Sequence, residues 1–333
     1  AAPRETNAKG TVPAGEQRNM STSIPRRQFA AEALALAGLT MAAGEHAAAH
    51  AQEKTMHLAT NVYPWYTFFQ REGRDFGASL DAGLGEVRAA GLDGFEPILN
   101  SPEDVETLRP LLQKHGLQMR SFYVNSTLHE QAEAERSIAQ ILAISARAKT
   151  AGARIVVTNP NPIRWGGEED KSDQQLTTQA AAINRLGAEL RKLGMTLGYH
   201  YHDAEFRRAA REMHHMLVGT DPRLVTLCLD AHWTYRGSGN SAVARFDILE
   251  LYAPRVSELH VRQSAGGIWT ETFGEGDIDY PRLVTRLDRN RRKVHIVLEQ
   301  AVEGGTPRTL NAIEAHRKSA EAARNVFAPI ATA

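Results

Sequence analysis

Gly198-Tyr-His200-Tyr-His202 ends an apolar, strand-like run on a pair of imidazoles, and three later segments repeat the pattern with other metal-capable side chains. They are Leu227-Cys-Leu-Asp230-Ala-His232, Glu258-Leu-His260-Val-Arg262 and Ile296-Val-Leu-Glu299-Gln300. Successive segments are separated by about one strand-plus-helix unit. Strands of a (β/α)₈ TIM barrel give that spacing when their C-terminal ends converge on one mouth. Residues two apart on an extended strand share a side, so each segment offers two side chains to that mouth. Imidazoles and carboxylates gathered there hold a divalent cation with positions open to substrate.

Working outward, apolar runs alternate with helical patterns from Thr55 to about residue 328. Strands are expected at Met56–Val62, Gly94–Pro97, Met119–Tyr123, Arg154–Val157, Thr196–His200, Val225–Leu229, Val256–His260 and Val294–Leu298. Helices are expected at Leu80–Ala90, Pro102–His115, Thr127–Ala151 and Leu176–Leu193. Ser101 stands as N-cap and Gly116 as stop of the second. Leu176, Ala180, Ile183, Leu186, Leu190 and Leu193 recur every three to four residues and give the fourth an apolar face. No Gly-x-Gly-x-x-Gly follows the first strand, which argues against a doubly wound sheet. A single-domain α/β barrel over 52–333 is the reading.

The N-terminal part reads differently. Residues 1–19 are polar and without periodicity, a disordered or artefactual leader. Residues 20–51 pair Arg26 and Arg27 ahead of Phe29, continue with an alanine- and leucine-rich stretch, and offer Ala49-His-Ala51 for cleavage. This resembles a twin-arginine signal peptide. It implies engagement of the twin-arginine translocase, a periplasmic protein without a stable membrane span, and unphosphorylated substrates.

Among 333 residues, 39 Lys plus Arg balance 39 Asp plus Glu, which opposes broad binding to nucleic acid. The single cysteine, Cys228, permits neither an internal disulfide nor a thiolate zinc cluster.

Gly91-Leu-Asp-Gly-Phe-Glu96, Tyr199-His-Tyr-His-Asp-Ala-Glu205-Phe206, Asp230-x-His232, Leu259-His-Val-Arg262, Gly274-Glu-Gly-Asp-Ile-Asp279-Tyr280 and Leu298-Glu299 together resemble the sugar isomerase/epimerase superfamily of xylose isomerase-like barrels. The resemblance implies one Mn, Mg, Co or Zn ion bound by side chains from strands five to eight. Asp230, His260 and Glu299 take the last three ligand places. The first, usually a glutamate, falls on His200, as in a His-x-His subgroup that includes inosose dehydratase-like proteins, with His202 the alternative ligand. Val261-Arg262-Gln263 departs from the lysine and aspartate of many relatives.

The implied chemistry is proton abstraction beside a polarised carbonyl, with Glu299, His202 and Glu96 as candidate bases in that order. His232 and Arg262 are candidates for binding substrate oxygens or protonating a leaving group, Trp65 and Tyr123 for packing on sugar C–H faces, and Asn159 for contacts to hydroxyls. Tyr63, Trp165 and Trp233 are further aromatic candidates, and Asn125 and Asn161 further polar ones. Gly274-Glu-Gly276 is expected to shape the mouth.

The expected function is isomerisation or epimerisation of an unphosphorylated sugar or keto-sugar. The alternatives are a lyase or dehydratase acting on a 3-keto-sugar, 3-keto-glycoside or inosose, and a non-catalytic periplasmic carbohydrate-binding protein. A multi-zinc DNA-repair endonuclease is opposed by the charge balance. A homo-oligomer remains open.

Overall fold

A computed structural model describes residues 56–289 and 293–333 of the chain. The leader and export signal expected over residues 1–51 lie outside the described residues. Eight parallel strands close into a barrel in the order β2-β1-β10-β7-β6-β5-β4-β3. They are β1 (Leu58–Asn61), β2 (Gly94–Glu96), β3 (Ser121–Tyr123), β4 (Ile155–Thr158), β5 (Thr196–Tyr199), β6 (Val225–Asp230), β7 (Val256–Val261) and β10 (His295–Leu298). Bridges at Gly94–Gln118 and Ile98–Tyr123 join the last gap, between β2 and β3. A short antiparallel hairpin, β8 (Ser264–Ala265) with β9 (Ile268–Trp269), is inserted after β7.

The outer layer holds α1 (Val62–Arg71), α2 (Leu80–Ala89), α3 (Pro102–His115), α4 (Gln131–Thr150), α5 (Asp173–Lys192), α6 (Arg207–Val218), α7 (Ala231–Gly237), α8 (Ala244–Tyr252), α9 (Tyr280–Asp288) and α10 (Ala312–Phe327). Local signals explain their ends. In α3, Asp104 Oδ2 accepts from the Ser101 amide at 3.0 Å, and Gly116 stops the helix at φ 65°. In α5 the Ser172 hydroxyl accepts from the Gln175 amide at 3.2 Å, so the helix starts three residues before the first apolar position.

The first strand is shorter than the sequence suggests. Asn61 Oδ1 accepts from the Tyr63 amide at 3.0 Å and caps α1, which begins at once. Val62 and Trp65 therefore belong to a helix that packs on the barrel.

Register sets the level of each side chain inside the cylinder. Asp230 pairs with His260, and His260 with Val297. A register shift between Leu227 and Cys228 matches Cys228 to Glu258 and so brings the inward residues of β6 and β7 level. Barrel interiors are commonly filled with branched apolar residues. Here buried Glu96, Ser121, Cys228, Glu258 and His295 occupy strand positions instead.

Candidate metal centre and its surroundings

Asp230 closes β6, His260 lies near the end of β7 and Glu299 follows β10. One ligand atom from each falls within 4.8 Å of the others. His200 follows β5, its ring centroid 4.8 Å from that of His260. All four are buried. Asp230 Oδ1 accepts the amides of His232 and Trp233, each at 2.9 Å, while its Oδ2 has no hydrogen-bond partner among the described residues. His200 Nδ1, His260 Nδ1 and Glu299 Oε2 are likewise buried without one. His260 Nδ1 lies 2.9 Å from Glu299 Oε2 without forming an aligned hydrogen bond.

Asp230 Oδ2 and His200 Nδ1, with neither a hydrogen bond nor an ion pair among the described residues, each cost about 1–3 kcal/mol if left unsatisfied. A cation bonded at ~2.1 Å to His260 Nδ1 and Glu299 Oε2 holds them about 3.0 Å apart at octahedral angles, close to the 2.9 Å between them. The donor set of imidazole and carboxylate therefore fits a divalent ion. Two further groups share His260: one adds His200 and Cys228, the other Glu96 and Glu258. Burial pushes the Cys228 thiol well up, so it stays protonated and inert.

Glu96 and Glu258 back the centre. His260 Nε2 lies 3.1 Å from Glu258 Oε1 and 3.1 Å from Glu96 Oε1, and the Ser121 hydroxyl donates to Glu96 at 2.5 Å. Burial, reinforced by the Glu96 charge, raises the Glu258 pKa to about 8. Burial opposes charge on His260, yet its pKa stands well above the imidazole norm through Cys228 and the glutamates. Because Cys228 is a neutral thiol, the Glu96 charge and the Glu258 hydrogen bond carry that effect. Glu96 was expected as a base at the mouth. It instead meets the ring edge of His260 opposite the one facing Glu299, and is 1% exposed.

Arg262 and Glu299 form the next pair. Arg262 Nη2 donates to Glu299 Oε1 at 2.6 Å and Nε to the Glu299 carbonyl at 2.9 Å. Its guanidinium carbon sits 4.1 Å from the Trp269 ring centre. Burial opposes ionisation of Glu299, but the Arg262 and His260 charges hold its pKa well below the carboxylate range. A carboxylate stabilised so strongly is a feeble base. Its Oε1 is occupied, and Oε2 faces His260.

His202 is the contrasting group. Half-buried, it packs 5.0 Å from His200, 5.1 Å from Trp233 and 5.3 Å from Trp165, ring centre to ring centre. Burial lowers its pKa to about 4, leaving it neutral at pH 7. Its Nδ1 meets Asn159 Oδ1 at 2.6 Å. Asn159 was expected to bind substrate, but it is fully buried, with its amide engaged by His202 and Glu205.

His232 sits on α7 rather than on a strand, because Asp230 caps that helix. It is buried, burial drives its pKa down to about 2, and neither ring nitrogen has a hydrogen-bond partner among the described residues. Arg262 Nη1 and the indole nitrogens of Trp233 and Trp269 are also buried without partners. Tyr123 lies 5.8 Å from the His200 ring.

Trp65 corrects another expectation. It is fully buried on α1, stacked 4.1 Å from His316 of α10, and its indole N–H donates to Thr60 at 3.3 Å. A helix begins where a strand end was expected, so this ring joins the core. Asn125 is exposed, and Asn161, after β4, donates at 3.1 Å to Thr127 in the neighbouring loop after β3. The Gly274 carbonyl accepts from Gln263 at 2.8 Å, which ties that loop to the segment after β7.

Three residues escaped the sequence reading. Glu258 stands two before His260 and so shares its side of the strand, a signal that was legible. Glu205 lay within a quoted motif. Trp269 sits in an irregular hairpin that no periodicity marks.

Residues 84–326 match the family described as xylose isomerase-like TIM barrel. An inosose dehydratase from Clostridium perfringens is 25% identical over 247 residues, spanning 65% of this chain and 80% of that protein. A sugar phosphate isomerase/epimerase from Parabacteroides distasonis superposes with a TM-score of 0.65 at 17% identity, covering 85% of this chain and 97% of the other. A xylose isomerase-like TIM barrel protein from Mycobacterium smegmatis, in complex with magnesium, gives a TM-score of 0.59 at 14% identity, covering 84% and 98%.

Proposed function

This chain belongs to the xylose isomerase-like TIM barrel family, and from that premise we propose a divalent-metal-dependent lyase acting on an unphosphorylated keto-sugar or inosose. The enzyme removes the proton beside the carbonyl and expels a β-oxygen. The observation that carries this reading is the division of labour between Glu299 and His202. Glu299 is clamped by Arg262 and turned toward His260, while His202 is neutral and oriented. One base suffices for elimination, whereas epimerisation by direct proton exchange on both faces needs two. This reverses the order in which the sequence ranks the two chemistries. The inosose dehydratase relative points the same way.

His200 Nδ1, Asp230 Oδ2, His260 Nδ1 and Glu299 Oε2 would hold the ion. When bound, it supplies Lewis-acid polarisation of the substrate carbonyl. His202 takes the α-proton on Nε2. The C–H electron pair becomes the new double bond as the β C–O bond breaks, and the proton returns to the departing oxygen. Arg262 Nη1, His232 and the indoles of Trp233 and Trp269 are buried groups that lack partners and suit substrate oxygens. The aromatic rings around them exclude water. The Arg26-Arg27 segment supports twin-arginine export and a periplasmic site of action.

Metal-loaded and chelated protein, incubated with a 3-keto-glucoside or an inosose in D₂O, tests the reading. An unsaturated or cleaved product that vanishes on chelation is expected. Solvent deuterium in an intact sugar would favour the epimerase instead, the reading supported by the isomerase/epimerase neighbour. Sugar affinity that persists after chelation without turnover would make this a binding protein.

A further inference from the structure

Asn159, directly after β4, stands between two partners. Its Nδ2 donates to Glu205 Oε1 at 3.0 Å and its Oδ1 lies 2.6 Å from His202 Nδ1. Glu205 sits on a single 3₁₀ turn, Ala204–Phe206, that carries the chain back beneath His202. Its other oxygen, Oε2, accepts the backbone N–H of His202 at 2.8 Å. Asn159 and Glu205 are at most 1% exposed.

The donors and acceptors leave one arrangement. The carboxylate of Glu205 and the Pro160 carbonyl only accept, so the Asn159 amide turns its NH₂ toward both, at 3.0 and 3.3 Å. Its carbonyl oxygen then faces His202, and only a protonated Nδ1 satisfies it. A neutral imidazole with its proton on Nδ1 carries its lone pair on Nε2.

We propose that Asn159 and Glu205 are positioning residues that fix His202 in the Nδ1–H tautomer and hold its ring at the angle a base requires. The proposal deepens the lyase reading and rests on it for the word base. Neither residue touches substrate. Glu205 grips His202 twice, through its main chain and through Asn159, so the His202-x-x-Glu205 spacing and a residue more than forty positions upstream act on one ring. Outer partners of this kind set the tautomer and orientation of catalytic imidazoles elsewhere.

The test uses the full chain loaded with Mg²⁺ and ¹⁵N-labelled at histidine, with His202→Gln to assign the resonance. The wild type is expected to show a protonated Nδ1 and an unprotonated Nε2. Asn159→Ala should mix the tautomers and lower kcat by about ten- to a hundredfold at unchanged metal content and with little change in KM. Asn159→Asp, sharing one proton with Glu205, should restore the tautomer and part of kcat. If Asn159→Ala does not fold, Glu205→Gln keeps the bulk, frees the amide to flip, and should mix the tautomers equally. A proton on Nε2 in the wild type overturns the proposal. So do an unchanged tautomer in the folded variants and a loss confined to KM. Wild-type protein that turns over no keto-sugar defeats the lyase reading alone, because the resonances still decide the positioning.

Discussion

Asp230 divides its carboxylate between two tasks. Oδ1 accepts the first amides of α7, whereas Oδ2 is turned into the candidate centre with nothing to bind. Burial raises its pKa to about 6, so in the metal-free protein its charge is a burden near neutral pH. Two substitutions separate the tasks. Asp230→Asn keeps an accepting oxygen for the cap and removes the charge; Asp230→Ala removes both. Neither variant should retain tightly bound metal after gel filtration, measured by elemental analysis. The alanine variant should also unfold more easily than the asparagine variant, by about 0.5–2 kcal/mol. Equal metal in wild type and Asp230→Asn would refute the coordination. At this scale the sequence was informative about identity and silent about orientation. It named His200, Asp230, His260 and Glu299, but could not show which carboxylate oxygen is free. Nor could it show that Arg262 disarms Glu299.

Among elements, α1 shows how one cap changes a reading. Asn61 starts a helix where the apolar run suggests a longer strand, and Trp65 passes from the mouth to the packing between α1 and α10. Those helices flank the junction of β1 with β10, where the barrel closes its first strand on its last. Trp65→Ala should cost about 3–5 kcal/mol in urea unfolding, as expected for a large cavity in a close-packed core. Its affinity for Mn²⁺ should match the wild type. A Trp65→Ala protein of normal stability that fails to bind sugar would return the ring to the site. Strong local signals made α3 legible, since Ser101 and Gly116 act within a turn of its ends, and the apolar repeat made the body of α5 legible while its Ser172 cap went unread. The β8–β9 hairpin and its Trp269 were not legible, because two-residue strands carry no period.

For the whole molecule, the centre is a clasp: its four residues come from β5, β6, β7 and β10, across half the barrel wall. Metal that binds only the folded state should raise Tm by roughly 5–10 °C at a hundredfold excess over Kd. The pH dependence follows from the carboxyls. Asp230 and Glu258 have raised pKa values, about 6 and about 8, against ~3.9 and ~4.3 unfolded. Their protonated forms contribute stability that is complete below the unfolded values and is lost as pH rises through the folded ones. Glu299, shifted down, has the opposite sign: its contribution is present above the unfolded value and is lost in acid. Between pH 6 and pH 8 the buried neutral histidines, His202 and His232 among them, gain stability up to their unfolded pKa of ~6.5, so the Glu258 loss is read as a difference. The Tm advantage of metal-free Glu258→Gln over metal-free wild type should be larger at pH 8 than at pH 6. Because bound metal also requires His260 to give up a proton, the metal-induced rise should be larger at pH 8 than at pH 5.5 in differential scanning fluorimetry. A rise independent of pH would contradict the protonation states assigned to the cluster.

Periodicity, caps and the recurrence of metal-capable residues at strand ends determined the barrel and which metal-capable side chains stand at its strand ends, because those signals are local or repeat at a fixed interval. The tertiary structure alone decided which candidates meet. The register shift between β6 and β7, the helix that captures Trp65, and the bonds from Asn159 and Glu205 to His202 depend on residues far apart in the chain. A strand repeat fixes which side of the backbone a residue takes; how high it stands in the cylinder, and which partner reaches it, is settled only when the strands pair.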